Sequence, residues 1–211
     1  MPDHDFDALM TTAHALADAA REAILPYFRS SGLEAENKLQ SGFDPVTVAD
    51  RAAEQAMRDV LARLRPHDTI VGEEFGTTQG TSGLRWVLDP IDGTRGFISG
   101  TPTWGVLIAV GDAAGPFLGV IDQPYIKERF WGAEGKAGVD GPLGKQALRV
   151  LGSRPLSQAI IFSTFPEVGS TEEGTAFKAV ASQAKLTRYG MDCYGYALVA
   201  AGQIDLVIEA G

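Results

Sequence analysis

Trp86-Val87-Leu88-Asp89-Pro90-Ile91-Asp92-Gly93-Thr94 decides how this chain reads. It begins as a short apolar run, the pattern of a buried strand, and passes directly into Asp-Pro-x-Asp-Gly-Thr. Asp89 and Asp92 stand three apart across a turn in which Pro90 holds φ at about −65°. Both carboxylates, with the Ile91 carbonyl between them, can therefore face one side. Hard cations such as Mg²⁺ take oxygen ligands of this kind. Gly93 lets the backbone approach a ligand closely. A helix opening at about Thr94 would direct the amides of Gly93, Thr94 and Arg95 outward as an anion site. Asp-Pro and Asp-Gly are also ordinary turn dipeptides, and Asp and Thr ordinary helix caps. The concentration of acids and backbone-special residues in so short a stretch sets it apart.

Two further acidic elements accompany it. Val71-Gly72-Glu73-Glu74 places two carboxylates just beyond an apolar strand, although a Glu-Glu pair alone is usually solvated. Asp44-Pro45-Val46-Thr47-x-x-Asp50 opens a helix and by itself could be only its cap. Other chemistries lack their residues. His4, His14 and His67 have no zinc-ligand spacing, and Cys193 is the one cysteine. No G-x-S-x-G elbow occurs. Lys136 and Lys145 follow glycines outside any phosphate-gripping G-x-x-x-x-G-K-[ST] frame, and Gly132, Gly135 and Gly138 do not form G-x-G-x-x-G.

The chain of 211 residues is 45% apolar and 21% charged, an ordinary globular composition able to bury a core without staples. Lys plus Arg number 18 against 27 Asp plus Glu, a formal charge of −9 that disfavours nucleic-acid binding. The acidic start, Met1 to Met10, is unlike a signal peptide, and no run approaches the roughly 18 apolar residues of a membrane span. A lone cysteine gives no intrachain disulfide, so the expected address is the cytoplasm. Amphipathic spacing predicts helices over 4–28 and Thr47–Leu64, the second burying Val48, Ala52, Ala56, Val60, Leu61 and Leu64. Strands are expected at Thr69–Val71, Arg85–Leu88, Gly105–Val110, Pro116–Ile121 and Glu128–Trp131, the last three antiparallel. The Gly-rich stretch 132–146 reads as a loop or domain junction. Beyond it, strands at Ala159–Ser163, Leu186–Arg188 and Ile204–Ile208 alternate with helices at Glu172–Ala184 and Tyr194–Ala201. The fold class is therefore α/β, with an α+β N-terminal part (1–140) carrying most of the acids and an α/β C-terminal part (141–211).

These motifs resemble the inositol monophosphatase superfamily of metal-dependent phosphomonoesterases. The match runs through Asp44–Asp50, Gly72-Glu73-Glu74, Trp86–Thr94, Gly119-Val120-Ile121 and Ala200-Ala201-Gly202-Gln203-Ile204-Asp205. The resemblance implies an α-β-α-β-α layered sandwich, a homodimer, a small phosphate monoester as substrate, and two or three Mg²⁺ ions per site. By position, Glu73, Asp89, Asp92 and the Ile91 carbonyl would be metal ligands. Thr94 with Asp44, helped by Glu73, would orient the attacking water, and the Gly93 and Thr94 amides, beside Asp92, would hold the phosphate. Two cations that clamp the attacking and leaving oxygens need no protein nucleophile, which agrees with the missing Ser and Cys motifs. Lys38 matches a mobile lysine of the family.

Within the superfamily, Asn37–Leu39, Gly42–Thr47, Gly93–Gly100, Gly119–Pro124 and Thr187–Tyr194 are similar to the histidinol-phosphatase branch. Inositol monophosphatases usually carry Gly-Ser/Thr-Ala where this chain has Gly190-Met191-Asp192. Asp192 and Glu209 would give the leaving group two carboxylates, which suit a cationic amine or imidazolium better than a neutral polyol. Asp192 could instead be a helix cap. Arg188 is a substrate-binding candidate beside the alternatives of a dimer contact or a surface pair. Histidinol phosphate is the expected substrate; inositol 1-phosphate or another sugar phosphate, or a silent metal- or phosphate-binding role, are the other readings. The resemblance also implies a Pro-Trp/Tyr-Asp motif after the last strand, whose aspartate completes the metal site. The sequence ends at Glu209-Ala210-Gly211, so the C-terminal part is expected to be incomplete, by trimming of a longer protein as the favoured reading or by true truncation with a weakened second metal.

Overall fold

The computed structural model describes residues 5–31, 35–37, 45–167 and 169–210, with only the backbone described at 35–37, 45 and 46. Helix α1 (Phe6–Ile24) is capped by Asp5, whose side chain accepts from the Ala8 amide at 3.0 Å. It buries Leu9, Ala13, Leu16, Ala17, Ala20 and Ile24, the stripe read from the sequence. The helix stops short of residue 28 because Pro26 cannot continue the hydrogen-bond ladder. A hairpin of β1 (Ala35–Asn37) and β2 (Pro45–Thr47) leads into α2 (Val48–Leu64). Thr47 and Asp50 form a reciprocal capping box there.

Val60 and Leu61 of α2 are buried as expected, but the rest of its buried face is rotated from the expected one. Val48 and Leu64 are 51% and 52% exposed, while Ala49, Asp50, Ala53, Glu54, Met57, Val60 and Leu61 are buried. Hydropathy spacing placed the stripe wrongly because two carboxylates lie on the buried side, each with hydrogen-bond partners that make burial tolerable.

Next come β3 (Thr69–Gly72), β4 (Gly76–Thr78), β5 (Arg85–Asp92), the short helix α3 (Thr94–Ser99), β6 (Gly105–Asp112), β7 (Gly115–Gln123), β8 (Glu128–Ala133), β9 (Lys136–Gly141) and β10 (Gly144–Ala147). They build an eight-stranded sheet in the order β10-β9-β8-β7-β6-β5-β3-β4. Only β3 and β5 pair in parallel. Along β5, Trp86 and Leu88 are buried in the core shared with α1 and α2, while Val87 points to the other face. The stretch 132–146, expected to be a loop or junction, instead forms the two outermost strands. Its signal was hidden because glycines replace the usual alternation. A Cβ on Gly138 would come within 2.6 Å of the Trp131 ring, so the missing side chain makes room for the indole on its cross-strand partner.

The chain then enters β11 (Ile160–Ser163), α4 (Thr171–Ala181), β12 (Leu186–Tyr189), α5 (Asp192–Ala200) and β13 (Leu206–Val207). These strands make a parallel sheet in the order β12-β11-β13. Neighbouring β11 residues face opposite ways: Ile161 packs with Phe177 of α4, and Phe162 lies against Gly195 of α5. Helix α5 also contacts β6 and β7. The layers are therefore α1/α2, the large sheet, α5, the small sheet and α4, the α-β-α-β-α sandwich the resemblance implied. An apolar groove of about 790 Å³ runs between the large sheet and α5, past Val87, Leu107, Phe117, Trp131, Leu148 and Tyr196. Among the described residues, no helix is long and apolar enough to cross a membrane.

Core and polar order meet at Asp68. Its carboxylate accepts from Trp86 Nε1 at 2.9 Å, Arg65 Nε at 2.7 Å and Ser82 Oγ at 2.6 Å. Burial works against the charge, yet these donors and the Arg65 charge outweigh it and hold the group below the usual aspartate range. A depressed folded value stabilises above the unfolded value of about 3.9 and is lost as pH falls through the folded one. Urea midpoints should thus fall between pH 5 and pH 3, and an Asp68→Asn variant should show a flatter acid limb. Parallel acid limbs would count against the assignment.

Candidate active site

The large sheet brings the acids together where β3 and β5 end side by side. Gly72 pairs with Leu88, and the Glu73 amide donates to the Leu88 carbonyl at 3.3 Å, so Glu73 emerges beside Asp89. Strand β5 runs further than the sequence predicted, through Pro90 to Asp92. Its register with β6 shifts between Asp89 and Asp92. Pro90 has no N–H for the ladder, and a bulge at that point re-aims the side chains that follow.

Asp89 Oδ1 is buried without a hydrogen-bond partner. Burial first, then the charges of Glu73 and Asp92, raise the Asp89 carboxyl well above the usual range. Among the described residues, no three acids, histidines or cysteines already close into a metal-holding group. The donor chemistry nevertheless fits a hard divalent cation: an orphaned buried carboxylate oxygen and clustered negative charge. Thr94, the first residue of α3, donates from Oγ1 to the Ile91 carbonyl at 3.1 Å, which joins two more of the expected site residues. Gly93 precedes it at φ +86°, a left-handed conformation suited to glycine. Asp44 and Lys38 lie outside the described residues.

The leaving-group candidates come from the small sheet. Gly190, at φ +76°, turns the chain after β12 and donates to the Ser163 and Thr164 carbonyls at 3.1 and 3.0 Å. Asp192 does not cap α5, as one reading allowed. Met191 is at the cap position, and the Cys193 amide is taken by Asp92 Oδ2 at 2.6 Å. Asp92 thereby ties the first turn of α5 to the end of β5. Asp192 is freed to face Gly93, where a Cβ would lie 3.0 Å from its side chain. Burial, then Asp92 and Glu209, raise the Asp192 carboxyl to about 6 against the opposing charge of Arg95. Glu209 Oε1 is held by the Thr164 amide at 2.9 Å and the Thr164 hydroxyl at 2.8 Å. Arg188 is exposed on β12 opposite Phe162.

Several contacts here were not singled out from sequence. The Cys193 amide is invisible to a motif search. Cys193 itself packs under Gly105, where a Cβ would be 2.9 Å from Sγ. Arg95 stacks on Phe165 at 4.6 Å beside Asp192. Glu54 and Arg58 of α2 hold the turn that carries Glu73. A spacing of four along α2 was the available signal.

Fold and site together define a layered α/β protein whose acids converge at strand ends. The chain belongs to the inositol monophosphatase family: the model of that family matches residues 5–211. It is 40% identical over 213 residues to a bifunctional phosphatase, IMPL2, of Arabidopsis thaliana, covering 100% of this chain and 60% of that protein. It is 37% identical to a histidinol-phosphatase of Streptomyces coelicolor, covering 99% of this chain and 79% of the relative. An inositol monophosphatase from Zymomonas mobilis superposes with a TM-score of 0.81 at 36% identity, over 98% of this chain and 78% of the other.

Proposed function

We propose that the chain is a Mg²⁺-dependent phosphomonoesterase that hydrolyses histidinol phosphate to histidinol and phosphate. The observation that supports the substrate is the placement of Asp192 against Gly93, within electrostatic reach of Glu209. Two carboxylates beside the expected phosphate position suit a cationic leaving group. Bound Mg²⁺ would supply Lewis-acid activation of water and charge neutralisation around the phosphoryl group. Glu73, Asp89, Asp92 and the Ile91 carbonyl would hold it. Thr94 and Asp44 would orient the attacking water, the Gly93 and Thr94 amides would position phosphate, and Asp192, Glu209, Gly190 and Arg188 would line the leaving-group side. The reading carries with it two or three ions per site and a homodimer, which rest on the resemblance, and a cytoplasmic address, which rests on the sequence composition.

A phosphate-release panel with and without Mg²⁺ tests it, with histidinol phosphate and inositol 1-phosphate as the deciding pair. Histidinol phosphate should turn over faster, and only with the metal. Asp192→Ala should raise its KM about tenfold, or about 1.4 kcal/mol, with little change for inositol 1-phosphate. Equal effects on both esters would remove the charge argument.

A further inference from the structure

Glu54 is a glutamate with a side chain 0% exposed in the middle of α2. Its Oε2 accepts from the Glu74 amide at 2.6 Å and its Oε1 from the Phe75 amide at 3.1 Å. Its charge is met by Arg58 Nε at 2.8 Å, one helical turn on. Arg58 reaches onward to the Gly76 carbonyl at 2.5 Å and Thr78 Oγ1 at 2.9 Å. One ion pair on α2 therefore grips the chain from Glu74 through Thr78, the segment immediately after Glu73.

Gly72 makes this possible. A Cβ at that position would collide with the Glu54 carboxylate, so the acid occupies the space that a side chain on β3 would fill. A buried ion pair is weak evidence for added stability, because desolvation offsets the Coulomb gain. Fixing a geometry is the better-supported use of such a pair. The brace adds side-chain anchors to the short backbone ladder between β3 and β4 that flanks Glu73.

We infer that Glu54 is a positioning residue: held by Arg58, it fixes the turn that aims Glu73 at Asp89, and so sets the affinity of the acid cluster for a divalent cation. This rests on the metal-binding reading of Glu73 and Asp89. Glu54→Gln keeps one acceptor for the amides but leaves the other unmatched and removes the charge that Arg58 needs. Groups that orient metal ligands typically change affinity by about 10–100-fold when replaced.

The test is calorimetric titration of the full chain with Mn²⁺, alongside amide hydrogen exchange at Glu74 and Phe75. Glu54→Gln should bind Mn²⁺ about tenfold more weakly and exchange faster at those two amides. Arg58→Lys keeps a cation beside Glu54 but loses the fork to Gly76 and Thr78, and should show a smaller loss of the same kind. Leu61→Val, a core change on the same helix away from the turn, should bind Mn²⁺ as the parent does. Parent-like affinity in Glu54→Gln, or equal weakening in Leu61→Val, overturns the positioning role. A parent chain that takes up no Mn²⁺ overturns the metal reading instead, and unchanged exchange at both amides overturns the brace.

Discussion

Asp89→Asn is expected to lower phosphate release by at least about 100-fold, the scale seen when one group facing developing charge is removed. It should also raise the melting temperature in chelator. Both expectations come from the same contact. Asp89 is largely buried with one oxygen unpartnered and has Glu73 and Asp92 as acidic neighbours. Folding holds the Asp89 carboxyl protonated at neutral pH, a cost that asparagine does not carry. The amide is a poorer ligand for a hard cation, so the gain in stability comes with a loss of function, the usual trade at a strained site. For a chain of this size each kcal/mol recovered would appear as roughly 2–4 °C. Phosphate release and thermal melting on the same preparation check both halves. Retained activity would remove Asp89 from the ligand set, and a lower melting temperature would show that its charge is already compensated.

The largest effect on stability is expected away from the acid cluster, at Asp122. Its side chain is 0% exposed at the end of β7 and is paired with Arg21 of α1 at 2.8 Å and Arg129 of β8 at 2.7 Å. Arg129 also reaches Asp18 at 2.7 Å, so the network joins α1 to the sheet. Asp122→Ala would leave two guanidinium groups facing each other without the anion between them. Breaking a buried pair in this way costs about 3–5 kcal/mol. Urea denaturation should show the loss, and Asp122→Asn, which still offers an acceptor oxygen, should lose less. A cost of about 1 kcal/mol or less would mean that water enters and solvates the cations. Core clusters of this kind are poorly visible beforehand. Asp122 and Arg129 are seven residues apart in sequence, but both lie more than a hundred from their partners on α1.

The acid cluster was legible for the opposite reason. Asp89, Ile91, Asp92, Gly93 and Thr94 act within one turn, so their spacing survives in the sequence, and Gly72-Glu73-Glu74 sits where an apolar strand must end. Glu54 was not legible, because a glutamate four residues from an arginine on a helix reads as a surface pair. Only the approach of Gly72 makes that pair internal. The glycines of 132–146 misled in a similar way, since their reason for being strands is the Trp131 indole across the ladder.

By itself, the sequence determined the α/β class, the helix stripe of α1, the strand that carries Asp89 and the acidic character of the site, because each follows from periodicity or from residues a few positions apart. Tertiary structure decided the rest. It rotated the buried face of α2 onto Asp50 and Glu54, gave the α5 amide to Asp92, and released Asp192 to face Gly93. It also placed Glu209 within reach of Asp192. Each of these joins residues distant along the chain, or depends on a partner that makes a buried charge tolerable. Such matches exist only once the sheets and helices have packed.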